Sequence, residues 1–325
     1  MAKVNYEQCV RVAEIIRTAI DAPQGLDFYH IKTKGELTPA PHMFPELWHH
    51  RAVDFFFFSC MQNYGFWYGN DHGYEAPLFA TINGMKMKGS DALTIMCKKA
   101  LDKNEDIFHP HMCARMTPDE FAGILSDDHG PVPFPDFEAR FRLARAFGAW
   151  FIKNRTLPED LVRQANASGQ PLRFLIETTA KIPGYNADYL NKKNYLLAMA
   201  LAQRPEHFLK VSDPEHWQPI VDYHLMRVAL RLGIVDIWPE ESLLVANRAW
   251  IGSAAEDKIR FATYTANQMI VEQSGKPMFV SDNTFWHARK YCPEMATPQC
   301  EKCIFNAVCE KRVELFQPVI RTTNY

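Results

Sequence analysis

The sequence predicts a mainly α protein of two helical lobes, with one small β element and a tail built around four cysteines. Three observations lead there. Apolar residues recur every three or four positions through most of the 325 residues, the spacing that lines up one face of a helix. Period-two alternation, the mark of half-buried strands, is scarce. Cys292, Cys300, Cys303 and Cys309 are bunched, whereas Cys9, Cys60, Cys97 and Cys113 are scattered.

Taken in order, the segment MAKVNYEQCVRVAEIIRTAI has no uninterrupted apolar stretch and reads as an amphipathic helix, not a signal peptide. No run approaches the length of a membrane span. Residues 54 to 58 and the Gly-bearing stretch 75 to 88 are candidate strands, enough for one hairpin. Thr117, Pro118 and Glu120 supply an N-cap, a first-turn proline and a capping-box acid, so a helix starts there. HGPVPFPDF breaks it. Phe141, Leu143, Ala144, Phe147 and Phe151 mark a helix over 138 to 152. The polar stretch 154 to 171 is the best boundary between lobes. It divides the chain into an N-terminal helical lobe with an aromatic loop (1–165), a second helical lobe (166–290) and the cysteine tail (291–325). Within the second lobe Leu225, Val228, Ala229 and Leu232 form an apolar stripe over 223 to 232, with Gly233 as its stop.

With 36 basic and 38 acidic residues the net charge is −2. No global positive field is present to hold a long polyanion, so DNA is the less favoured partner and a small molecule the more favoured one. Scattered thiols fit a reducing cytosol, and the protein is expected to be cytoplasmic with no membrane attachment. Aromatics at 13% of the chain exceed the usual share.

The tail spacing, C-x7-C-x2-C-x5-C, closes within eighteen residues. Four thiolates so placed can converge on one centre, and an all-sulfur donor set suits an iron–sulfur cluster or zinc. Zinc ribbons usually present two C-x2-C knuckles and this tail has one, which favours the cluster. Asp222 stands immediately before the stripe of 223 to 232. Its plain reading is an N-cap, but an ionised carboxylate can also stabilise a sugar with oxocarbenium character and direct a water. Both can hold at once. Phe55 to Phe58 read as core. Phe66, Trp67 and Tyr68 lie between Gly65 and Gly69 and ahead of Asn70, Asp71 and His72, as in a loop at a pocket mouth, where rings either pack or stack a base. His224 can orient Asp222 or meet a ligand. Asp282 is either an N-cap or a second pocket carboxylate. His49, His50, His109 and His111 come in pairs that no spacing completes into a metal site, and they read as surface or loop residues.

Two families share these motifs. VDYHLMRVALRLG with the cysteine tail resembles the helix-hairpin-helix DNA glycosylases, whose catalytic aspartate matches Asp222. The gap between the first two cysteines is one residue longer here, Tyr223 departs from the motif, and the phosphate-gripping hairpin is reduced to IPGYNAD at 182 to 188, without its second glycine. A second resemblance, over roughly 50 to 325, is to the queuosine salvage family of nucleotide N-glycosylases with a DNA-glycosylase-like helical fold. It rests on VDFFFFSCMQNYGFWYG, GSDALTIMCKKAL, MTPDEFAGIL, FEARFRLARAFG, NADYLNKKNYLLAMAL, VDYHLMRVALRLG, FVSDNTFWHARK and VIRTTNY, in that order. The resemblance implies a hydrolase that releases a queuine-like base from a queuosine 5′-phosphate-type nucleotide. Asp222 would be its catalytic carboxylate, and Phe66 and Trp67 would line the base pocket. Lys192 or Lys193 would lie near the substrate, and Asp282 would be a second carboxylate. The tail, a [4Fe–4S] cluster site or a zinc site, is a departure from that family. A DNA base-excision glycosylase and a non-catalytic nucleotide-binding iron–sulfur protein are the alternatives.

Overall fold

The computed structural model describes residues 2–19, 27–33 and 36–325. In chain order the elements are β1 (Lys3–Val4), α1 (Tyr6–Ala19), β2 (His30–Thr33), β3 (Glu36–Pro39) and α2 (Ala52–Met61). Next come β4 (Trp67–Asn70), β5 (Gly73–Pro77), β6 (Phe79–Ile82), β7 (Met85–Lys88), α3 (Gly89–Lys103), α4 (Pro110–Arg115) and α5 (Pro118–Ile124). There follow β8 (Ser126–Asp127), β9 (Gly130–Pro131), α6 (Phe137–Asn154), α7 (Pro158–Ala167), α8 (Pro171–Thr179) and α9 (Lys192–Gln203). The last are α10 (Tyr223–Leu232), β10 (Val235–Asp236), α11 (Pro239–Ala246), α12 (Ser253–Ser274) and α13 (Met278–Tyr291). The fold is mainly α, as the periodicity predicts, and every sheet among the described residues has two strands.

The helix starts and stops follow local chemistry. At α5 the Thr117 hydroxyl accepts from Glu120 N–H and the Glu120 carboxylate accepts from Thr117 N–H, a complete capping box. Gly233 ends α10 at φ +84°, where a side chain would be strained. One expectation fails. Residues 54 to 58 are not a strand but the middle of α2, which is buried on every side. A helix with no wet face has no 3.6-residue alternation to read, so an apolar run of this kind is ambiguous in sequence.

Among the described residues the buried apolar side chains fall into two cores. The first gathers buried side chains from Phe28 to Ile220, together with Met278. The second takes Cys9 to Ile16 of α1, Trp67 and Tyr74 of the β4–β5 hairpin, and residues from Val221 to Tyr325. The boundary placed at 165 and 166 falls inside α7, and Leu161 and Leu172 on either side of it share the first core. Along the chain, the change of core falls instead between Ile220 and Val221.

One buried ion pair ties this change of core together. Arg260 of α12, 2% exposed, donates through both terminal nitrogens to Asp188, each at 2.7 Å, and to the Val221 carbonyl at 3.2 and 3.3 Å. Asp188 in turn accepts from the backbone N–H groups of Leu190 and Lys192 at the start of α9. Burial alone would raise the Asp188 carboxyl, but the hydrogen bonds and charge of Arg260 outweigh it and hold it below its ordinary value. A carboxyl lowered in the folded state contributes stability above its unfolded range, lost as pH falls through its folded value. Asp188→Asn is therefore expected to cost about 3 kcal/mol in urea unfolding near neutral pH, with a smaller penalty under acid conditions. An equal cost at both pH values would mean the charge is not what matters.

Candidate active site

A cavity of about 300 Å³ lies between the two cores, within the range of small-molecule sites. Its apolar walls include Met43, Phe55, Phe56, Leu196, Met199 and Trp286, and its polar groups include Asp91, Lys192, Asp222, Asp282 and Arg289. Three of the residues singled out in the sequence, Lys192, Asp222 and Asp282, thus share one chamber.

Each is placed by its own element. Asp222 is the N-cap of α10 and accepts from Leu225 N–H at 2.9 Å, so the cap role and a place in the chamber coexist. Lys192 opens α9, and its ammonium donates to the Asn63 carbonyl at 2.9 Å and to Asn63 Oδ1 at 2.7 Å. Burial lowers its pKa and the nearby Asp222 charge opposes that. Asp282 lies in the first turns of α13 and not at its cap. Burial, with the Asp222 charge adding to it, raises its carboxyl to about 7, against a hydrogen bond with the Ile220 backbone. Its Oδ1 has no partner among the described residues.

The remaining expected ligand contacts are not in this chamber. Phe66 packs in the first core against Phe134 and under Arg140. Trp67 is in strand β4, not in a loop, stacked on Tyr74 with the Arg321 guanidinium over its ring. Of the flanking glycines, Gly69 belongs to the hairpin, and Gly65 precedes it with its N–H donating to the Tyr325 carbonyl. At Gly69 a Cβ would press on Trp250, Trp67 and the Gly73 carbonyl, each at 3.0 Å. Phe55 and Phe56, read as plain core, do line the cavity. Lys193 points the other way, donating to the Met61 and Thr323 carbonyls, and burial with neighbouring Lys192 brings it down to about 7. His224 accepts from Arg227 at 3.1 Å and faces Glu294 at 3.6 Å. Burial and the Arg227 charge hold its imidazole well below the ordinary value, so it is neutral. Cys60 also lines the chamber, but burial pushes its thiol up to about 12, which removes it as a nucleophile.

Sequence reasoning missed Asn63, Asp91, Trp286 and Arg289. Trp286 and Arg289 stand four and seven residues beyond Asp282, on the same face of α13, a spacing that could have flagged them. Asp91 carried no such signal. His49 and His50 do meet a carboxylate, Glu105, from a distant segment, with all three ligand atoms within 4.8 Å. Yet His49 Nδ1 accepts from Arg51 N–H at 3.1 Å, which leaves the ring proton on Nε2 and no free lone pair for a metal.

The cysteine tail wraps the far end of α10. Arg231 donates to Cys292 Sγ at 3.3 Å and to the Pro293 carbonyl at 2.9 Å, and Lys311 N–H donates to Cys309 Sγ at 3.3 Å. Burial raises the Cys303 and Cys309 thiols, and the other thiols of the set add to it, which places all four as electrostatic neighbours. Among the described residues no three of these sulfurs lie mutually within 4.8 Å. A single tetrahedral zinc would draw them to roughly 3.8 Å apart, at about 2.3 Å from the ion. The all-sulfur set and its N–H···S donors suit a thiolate-held metal centre, a multi-iron core or zinc.

Fold and chamber together define a mainly helical protein with a cavity lined by three carboxylates and a lysine among its polar groups. Residues 43–200 match the model of the family described as queuosine salvage protein, which bears out that family resemblance. The match supports a role in queuosine salvage and a small-molecule nucleotide as ligand. It takes in Lys192, while Asp222 and Asp282 lie beyond it. No curated protein matches the chain. No helix among the described residues is long and apolar enough to cross a membrane.

Proposed function

We propose that the protein hydrolyses the N-glycosidic bond of a queuosine 5′-phosphate-type nucleotide and releases its 7-deazaguanine base. The observation that carries this reading is the convergence of Asp222, Asp282 and Lys192 in one chamber beside aromatic walls. Two carboxylates whose environments differ suit acid and base roles in glycosidic cleavage. Asp282, raised to about 7, is the proton donor to the departing base nitrogen. Asp222 stabilises the positive sugar carbon and takes a proton from the attacking water. Lys192 supplies a positive charge beside them. Against DNA as substrate stand the net charge of −2 and the IPGYNAD turn. A Cβ on Gly184 there would meet Met61 Cγ at 2.5 Å, so the turn is packed inward and does not face a phosphate.

The four cysteines, in the same reading, hold a [4Fe–4S] cluster, zinc being the other metal the donor set admits. When bound it would supply a structural anchor. Cys292, Cys300, Cys303 and Cys309 would hold it, with Arg231 donating to the sulfur of Cys292.

Asp222→Asn should lower base release by at least about 100-fold and leave melting almost unchanged, because Asn caps as well as Asp. Wild-type turnover in this variant would exclude Asp222. With Asp282 as the acid, kcat/KM should fall as pH rises through about 7, and Asp282→Asn should be slow and without that alkaline limb. A limb that persists in the variant assigns it elsewhere. Anaerobically purified protein should be brown and contain iron and sulfide, and Cys300→Ser or Cys303→Ser should lose both along with solubility. Stoichiometric zinc without iron would replace the cluster assignment.

A further inference from the structure

On the cavity face of α13 Asp282 Oδ1, Asn283 Nδ2 and Arg289 Nε are buried without a hydrogen-bond partner among the described residues. Native proteins leave few such atoms unmet, because each forfeits its bond to water. The Arg289 guanidinium is held 3.5 Å from the centroid of the Trp286 ring, which fixes its plane. Asp91 of α3 lines the same cavity and is exposed there. Among the charges acting on Asp91 the strongest is Arg289, followed by Lys290 and Lys88, and Lys88 is itself engaged by Glu294. Yet Asp91 and Arg289 are not an ion pair within 4.0 Å. A carboxylate and a guanidinium that line one chamber without pairing make an acceptor–donor set facing its space. It suits a flat edge that presents an acceptor beside donors.

A guanine-type base has that edge, with a carbonyl oxygen next to N1–H and a 2-amino group, whereas an adenine-type base presents an amino donor next to an unprotonated ring nitrogen. We propose that Asp91 and Arg289 read the base: Asp91 accepts from N1–H and the 2-amino group, and Arg289 donates to the exocyclic oxygen of a 7-deazaguanine. The assignment rests on the nucleotide reading above but not on turnover. It gives the unmet Arg289 donor a partner and explains why an acid stands at that end of a chamber whose chemistry is served by other carboxylates.

The test is calorimetric titration of the full-length protein with 7-deazaguanine and with 7-deazaadenine, neither of which has a bond to cleave. Wild type should prefer 7-deazaguanine by at least about tenfold, since a site built for an edge leaves its own polar groups unpaired with the wrong one. Asp91→Asn should abolish most of that preference, and Arg289→Gln should independently weaken 7-deazaguanine and spare 7-deazaadenine. Equal binding of the two bases by wild type, binding of neither, or a preference unchanged in both variants would overturn the assignment. So would an Arg289→Gln defect confined to nucleoside monophosphates relative to nucleosides, which would make Arg289 a phosphate ligand. Base preference with no glycosidase activity would remove the proposed reaction and leave this assignment standing. Base release without base preference would do the reverse.

Discussion

The chamber exists because Arg260 and Asp188 pair at the place where the chain passes from one core to the other. Arg260 belongs to α12, whose inward face packs in the second core, and Asp188 lies just ahead of α9, which packs in the first. Through Asp188 the pair fixes the N–H groups at Leu190 and Lys192, and through the Val221 carbonyl it fixes the residue before Asp222. Lys192 and Asp222 sit thirty positions apart on different helices. They share a chamber because one buried guanidinium holds both approaches. Such a pair is costly to desolvate and is kept by complete hydrogen bonding, and here Arg260 also lies over the Tyr325 ring at 4.5 Å.

A second buried network connects the chamber walls to the cysteine tail. Arg227 and Arg231, one turn apart on α10, hold the Cys292 and Pro293 carbonyls, while Arg227 also meets Gln317 Oε1 at 2.5 Å. Glu294, two residues past Cys292, pairs with Arg227 and with Lys88, the residue just before α3. Burial would raise the Glu294 carboxyl, but these two cations prevail and keep it low. The walls bearing Asp91, Asp222 and Asp282 therefore meet at one carboxylate. A tail that loosened would free all three walls at that point.

What the sequence made legible follows from how local each signal is. Helix α10, its Asp222 cap and its Gly233 stop depend on neighbours within a few residues, and the structure reproduces the expected 223 to 232 span. Phe66 and Trp67 went astray because flanking glycines suggest a loop, while only the β4–β5 pairing and Arg321, some 250 residues on, reveal that Trp67 is packed. Phe55 and Phe56 are core, as read, and also border the cavity. On a helix buried all round, the side that borders a cavity and the side that borders the core have the same composition. The polar stretch 154 to 171 takes in the surface of α7, whose inward face belongs to the first core, so polarity alone does not mark where the cores change.

The distribution of charge also argues for what the chamber receives. Asp222 and Asp282 lie close enough for one to raise the other, and Asp91 adds a third acid to the lining. A polyanion would bring its charge against these acids, and a chain of net charge −2 has no global positive field to hold it. A single nucleotide meets a different balance. Under the proposed reaction its sugar would become cationic beside the acids, its base would present donors to Asp91, and its one phosphate would have Lys192 within the same chamber. In the proposed function, the acids that disfavour DNA are those that suit a small ligand whose charge turns positive as its glycosidic bond breaks.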